Sequence, residues 1–213
     1  MKQNELLLSE LIERYPCLEA CKADIVDAYS MLKQCFTEKK KVLLAGNGGS
    51  AADAEHIVGE LMKGFVLERR PDEQFINKLI EADADLGKQI GDKIQGALPA
   101  IALTNHISLS TAFLNDVDAQ YGFAQQVNGY GAEGDVFWGI TTSGNSKNII
   151  YANIVAKAKG MHTIALTGRD GGKIRDMADI TIIVPEQETY KIQELHLPIY
   201  HCLCRMLENA FFG

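Results

Sequence analysis

No basic tract interrupts this chain, in which 21 Lys and Arg are outnumbered by 28 Asp and Glu for a formal net charge of −7. That balance excludes a generic nucleic-acid binder, which needs a cationic surface to displace counterions from phosphates. It leaves room for a phosphorylated small molecule, because backbone N–H groups hold an anion without net positive charge. No uninterrupted apolar run approaches the roughly 18 residues of a membrane span, so no membrane partner is expected. The opening stretch, MKQNELLLSELIERYP, sets acids and polar residues among its leucines and is not a secretory apolar region. Paired cysteine spacing is missing too. Cys17, Cys21, Cys35, Cys202 and Cys204 are odd in number and show no zinc-ribbon pattern, which predicts reduced thiols in a cytoplasmic protein. Internal repeats and low-complexity tracts are absent.

Two nucleotide-binding signatures are also missing. The glycine-rich stretch at 46–50 lacks the Gly-Lys-Ser/Thr of a Walker loop. It also lacks dinucleotide-fold spacing, since Gly46, Gly48 and Gly49 are followed by Ala52. What remains is a chain of 213 residues, 46% hydrophobic and 23% charged, ordinary for a globular protein of one large domain or two small ones.

The rest of the chain is organised around Lys41 to Phe65, KVLLAGNGGSAADAEHIVGELMKGF. Val42-Leu43-Leu44-Ala45 has the length and apolar character of a buried parallel strand. Gly46-Asn47-Gly48-Gly49-Ser50 then lets backbone N–H groups approach an anion closely. A helical pattern follows, with Ile57, Leu61 and Met62 on one side and Asp53, His56 and Glu60 together on another. Strand–glycine–helix turns also occur simply to reverse the chain, and a His/Glu pair one turn apart is often a surface ion pair. In this chain the same pair lets a ring nitrogen and a carboxylate converge on one point.

Around that stretch, residues 3–14 and 17–37 read as amphipathic helices separated by Tyr15-Pro16. Val66 to Gln95 is charge-rich, with short helices marked by Phe75, Leu79 and Ile80 and by Leu86, Ile90 and Ile94. It reads as a solvated excursion or as a segment shaping the rim of a pocket. Further strands are expected at 98–103, 135–140, 162–167 and 180–184, with helices after 105, over 147–159, after 172 and from about Tyr190. This alternation predicts a doubly wound α/β sandwich on a parallel sheet of about five strands.

The strand at 135–140 runs into Thr141-Thr142-Ser143-Gly144-Asn145-Ser146, four hydroxyls and a glycine at a helix start. Plain N-capping accounts for one hydroxyl, whereas a phosphate dianion uses several together with the helix dipole. On the last helix Gln193 and His201 lie eight residues apart on one face, and His196 competes with His201 for any role there.

Asn47-Gly48-Gly49-Ser50 with His56 and Glu60, then TTSGNS at 141–146, then Gln193 with His201, resembles the sugar isomerase (SIS) domain family. Within it the pattern is similar to the phosphoheptose isomerases, and the likeness spans essentially the whole chain. The resemblance implies one α/β/α SIS domain over 1–213, with N-terminal helices at 1–38 and a helical insertion at 66–96. It implies conversion of sedoheptulose 7-phosphate to D-glycero-D-manno-heptose 7-phosphate by enediol proton transfer, the first step toward nucleotide-activated heptose. Glu60 and His201 would then be the acid–base pair. Asn47, Gly48, Gly49, Glu60, Asn115, Asp116 and Gln193 would contact substrate, and Thr141, Thr142, Ser143 and Ser146 would hold the phosphate. His56, Glu60, Gln193 and His201 match positions that bind Zn²⁺, with His196 in support. A homotetramer with active sites at subunit contacts is implied as well.

Two departures from the family stand out. The 66–95 link is long, and Tyr190 replaces an acidic residue found three before the glutamine in some members. Other branches of the family bind the replication initiator or sense sugar phosphates. The initiator-binding branch tends to lose the helix glutamate and the last histidine, both kept here, and the sensors usually carry a DNA-binding domain, for which residues 1–40 offer no basic helix.

Overall fold

Four consecutive apolar residues, Val42–Ala45, form strand β1 with every side chain buried, as a strand covered on both faces requires. The computed structural model describes residues 2–213. Around β1 lie β2 (Ala100–Ala102), β3 (Val136–Ile140), β4 (His162–Thr167) and β5 (Ile180–Ile183). The sheet is parallel throughout, in the order β2-β1-β3-β4-β5. Leu44 pairs with Trp138 and Ala45 with Gly139, so the turns that leave β1 and β3 emerge side by side. The chain leaves β1 toward one edge and returns as β3 on the other side, a switch point where ligands bind in open α/β sheets.

Strand periodicity of two divides the core. Leu43, Ala45, Phe137 and Ala165 face one layer, which holds α7 (Gly122–Tyr130) and α8 (Lys147–Ala158). Leu44, Trp138, Ile140, Ile164 and Leu166 face the other. There they meet α1 (Lys2–Arg14), α2 (Lys22–Thr37), α3 (Gly49–Met62) and α9 (Thr189–Phe212). The N-terminal helices therefore cover the sheet.

Several local expectations change. Residues 17–37 are not one helix: Pro16–Cys21 is a 3-10 turn, with proline at its start, and α2 begins only at Lys22. The second strand is three residues long rather than six, and it begins just after Pro99, which has no N–H to give a ladder. Residues 119–130, left unassigned by periodicity, form a 3-10 turn (Ala119–Tyr121) and α7. The 66–95 stretch folds as α4 (Glu73–Ala82) and α5 (Ala84–Gly91), packed on each other and capped by the carboxylates of Asp72 and Asp83. Between β2 and the 3-10 turn, α6 spans Ile107–Asp116.

A buried ion pair locks the end of α3 to α9. The Arg69 guanidinium, 1% exposed, donates from Nε to Glu208 Oε1 at 2.8 Å. It also donates to the carbonyls of Glu60 and Leu61, each at 2.7 Å, groups that the end of a helix leaves unpaired. Glu208 in turn accepts the N–H groups of Phe65, Val66 and Leu67. Burial pushes the Glu208 carboxyl up, but these three amides and Arg69 outweigh it and hold the group below its ordinary value.

Removing one partner strands the other in the core. Glu208→Gln is expected to cost about 3–5 kcal/mol at neutral pH, read from chemical denaturation. Because the folded value is depressed, Glu208 stabilises fully above its unfolded value of about 4.3 and loses that contribution as pH falls through the lower folded one. The gap between the wild type and Glu208→Gln is therefore expected to narrow as pH falls below about 4.3 and to close only beneath the lower folded value.

Candidate active site

The glycine turn after β1 is shaped by close contacts. A Cβ on Gly46 would overlap the Ser50 carbonyl, and Gly48, the N-cap of α3, has φ +56°, which a side chain disfavours. A Cβ on Gly49 would sit 2.5 Å from Gln193 Nε2, so the Gln193 amide lies directly over the start of α3. Asn47 and Asn148 exchange two amide hydrogen bonds, at 3.0 and 2.8 Å, which tie this turn to the first turn of α8.

The loop after β3 lies beside it. Gly144 has φ +65° and packs so tightly on Gly171 that a Cβ would overlap the Gly171 carbonyl. Thr141 and Ser146 hydroxyls bond to each other at 2.9 Å, and Ser143 Oγ accepts the N–H of Asn145. Ser146 is the N-cap of α8, yet its side chain makes no capping bond. The plain capping account of these hydroxyls therefore fails, and the first N–H groups of α8 are not capped by it.

Helices α3 and α9 run side by side in the same direction, because Gln193 meets Gly49, Tyr200 meets Asp53 and His56, and Glu208 meets Phe65. Midway along them three predicted residues converge. His56 Nε2 lies 3.3 Å from Glu60 Oε1 and 3.5 Å from His201 Nε2, and the two imidazoles meet edge to face. Glu60 is 8% exposed; its Oε2 is buried without a hydrogen-bond partner among the described residues, with Lys63 Nζ 3.6 Å away. Burial, then the charge of His56, lower the His201 imidazole below its ordinary value, while Glu60 pulls the other way. Among the described residues no three His, Cys, Asp or Glu side chains are grouped closely enough to hold a metal ion between them. The pairwise contacts centre on His56.

The structure decides between the two histidines of α9. His196 is fully buried, neither ring nitrogen has a hydrogen-bond partner among the described residues, and burial pushes it down to about 4 against the nearby Thr167 backbone. It is a neutral core residue, and its expected supporting place beside the site is not where the structure puts it. Asn115 and Asp116 end α6, stand exposed and bond to each other. That helix packs against α7 and the 3-10 turn at Ala119–Tyr121, and among the described residues no hydrogen bond links the two residues to the His56 cluster. Gln193 sits at the glycine-turn end of α9, with its side-chain amide over Gly49.

Three contributors were not singled out by sequence. Tyr200 reads as one more apolar position of α9, yet its hydroxyl touches both Asp53 and His56. Arg69 lies in a charged run that reads as solvated, and Glu208 in an apolar helix end; only their joint burial reveals them. Gly49→Ala is expected to displace the Gln193 amide and to lower turnover at least about tenfold, because ångström shifts of a positioned group are that costly. Steady-state kinetics beside a thermal melt checks it; unchanged turnover with the fold intact would show that Gln193 does not contribute from this position.

Comparison with known proteins agrees with the fold. Residues 93–168 match the SIS domain family model. A phosphoheptose isomerase of Sulfurimonas denitrificans is 43% identical over 174 residues, covering 82% of this chain and 76% of that protein. One from Citrifermentans bemidjiense is 40% identical over 200 residues, 94% of this chain and 87% of its own. The solved phosphoheptose isomerase of Neisseria gonorrhoeae superposes with a TM-score of 0.74 at 33% identity, covering 98% of each chain. At this identity and coverage, the chain belongs to the phosphoheptose isomerase family of SIS-domain proteins.

Proposed function

We propose that this protein interconverts sedoheptulose 7-phosphate and D-glycero-D-manno-heptose 7-phosphate. The observation that carries the reading is the meeting of Glu60 and His56 on α3 with His201 on α9, in line with two anion-ready turns. Seven residues separate Gly49 from His56, about 10 Å along a helix. That span is comparable with an extended seven-carbon sugar phosphate. The phosphate would lie against Thr141, Thr142, Ser143 and Ser146 at the start of α8, with Asn47, Gly48, Gly49 and Gln193 along the chain. The reacting carbons would then reach Glu60 and His201. Asn115 and Asp116, exposed at the end of α6, are proposed as further substrate contacts.

Isomerisation moves one proton between C1 and C2 through an enediol and shifts a second between the two oxygens. Glu60 and His201 would divide those duties, one taking the carbon-bound proton and the other serving the oxygens. The lowering of the His201 imidazole favours its neutral ring at neutral pH, the form that can accept a proton. His56, Glu60 and His201 also fit Zn²⁺ by donor type, and the unpartnered Glu60 Oε2 is an oxygen available to it. Bound there, zinc would polarise the sugar's carbonyl and hydroxyl oxygens.

A homotetramer with active sites at subunit contacts is part of the same reading. Leu86, Ile90, Ile94, Ile107, Leu114 and Val117 stand exposed, an apolar surface that association would cover. The proposed location is the cytoplasm, supported by five cysteines that are all free, with burial pushing the Cys21, Cys35 and Cys202 thiols up to about 12. No helix among the described residues is long and apolar enough to cross a membrane. Keeping both Glu60 and His201 favours the enzyme over an initiator-binding or sensing relative.

The test is formation of heptose 7-phosphate from sedoheptulose 7-phosphate, followed by NMR. Glu60→Gln is expected to slow turnover by about 10²- to 10⁴-fold, the range carried by a general acid or base. No product from the wild type, with or without added Zn²⁺, would overturn the reading.

A further inference from the structure

The hydroxyl of Tyr200 connects two residues of α3. It donates to Asp53 Oδ1 at 3.2 Å, and its oxygen lies 3.1 Å from His56 Nδ1. Tyr200 is 1% exposed, and the ring meets both His56 and His201 edge to face, with centroids 5.5 and 4.9 Å apart. A phenylalanine would fill that space equally well, so packing alone does not account for the hydroxyl. Asp53 Oδ2 is buried with no partner among the described residues, which leaves the Tyr200 O–H as the side-chain donor to that carboxylate.

Counting protons orders the chain of contacts. A phenol has one hydrogen, and an ionised carboxylate can only accept. Once the Tyr200 proton is given to Asp53, its oxygen offers His56 only lone pairs. The hydrogen between them must then sit on His56 Nδ1. In a neutral imidazole the other nitrogen is the acceptor, so the Nε2 lone pair faces the point between Glu60 Oε1 and His201 Nε2. The His201 ring can donate to it, while the 3.3 Å contact with the Glu60 oxygen sets two acceptors together and is satisfied by a cation or a substrate proton between them.

We propose that Asp53 and Tyr200 are positioning residues that hold His56 in its Nδ1–H tautomer and aim the Nε2 lone pair at the point shared with Glu60 and His201. The arrangement is a carboxylate acting on a histidine through a phenol, in place of the direct carboxylate–imidazole contact that orients many ligating histidines. It gives His56 the form that can accept a substrate proton or hold a cation, and it denies His56 the form that would donate toward Glu60. The inference rests on His56 being a site residue, as the proposed function has it.

The experiment is the ring ¹⁵N spectrum of His56 in the metal-free, full-length protein at mildly alkaline pH. The wild type is expected to carry its proton on Nδ1. Tyr200→Phe keeps the ring packing and is expected to shift His56 toward Nε2–H. Asp53→Asn lets an amide donate to the phenol, turns the Tyr200 proton toward His56, and is expected to shift the tautomer the same way. Both variants are expected to bind Zn²⁺ about 10- to 100-fold more weakly against a chromophoric chelator, the usual cost of losing an outer-shell partner. Turnover is expected to fall in kcat more than in KM. A wild-type His56 protonated on Nε2 would overturn the proposal, as would an unchanged tautomer in both folded variants. Because the spectrum needs neither substrate nor metal, it stands even if Glu60→Gln leaves turnover intact, which would count against the catalytic reading alone.

Discussion

The buried pair of Arg69 and Glu208 is the constraint on which the site depends. The proposed reacting groups come from two helices, Glu60 on α3 and His201 on α9, and neither helix alone places them together. Arg69 holds the Glu60 and Leu61 carbonyls, and Glu208 holds the chain just beyond, so the end of α3 is fastened to the end of α9. Breaking such a pair one-sidedly is costly because a charge stays behind in the core. The cost falls on the turn of α3 that carries Glu60, which makes a structural ion pair part of the active-site geometry.

Seen along α3 and α9, the site is a strip rather than a point. At one end, the turns leaving β1 and β3 emerge side by side at the switch point, where backbone N–H groups and hydroxyls suit a phosphate. At the other end, His56, Glu60 and His201 gather where the sheet no longer contributes. The parallel run of the two helices sets the separation between those ends, and with it the length of sugar phosphate that can bridge them.

The sheet was legible because its strands are short, mostly apolar and punctuated by Gly, Pro and Asn, and because one glycine turn and one hydroxyl-rich loop follow two adjacent strands. His56, Glu60 and His201 were legible through helical spacing and the family pattern, although spacing alone left His196 and His201 open. Burial settles that choice, since only His201 reaches His56. What could not be read was any role that depends on a partner distant in sequence. Tyr200 looks apolar until Asp53 and His56 are placed against its hydroxyl, and Arg69 looks solvated until Glu208 is brought to it. Residues 119–130 escaped for another reason: their helix mixes glycine with polar residues and shows no clear apolar stripe.

The central claim is that Glu60 and His201 move a proton between neighbouring carbons of a heptose phosphate. Running the wild-type reaction in D₂O and reading the product by NMR tests it most directly. The account predicts deuterium at C2 of the heptose product, the former carbonyl carbon, because a proton held on a partly exposed acid–base pair exchanges with solvent. Product whose C2 hydrogen comes wholly from C1 of the substrate, with no deuterium incorporated, would contradict it.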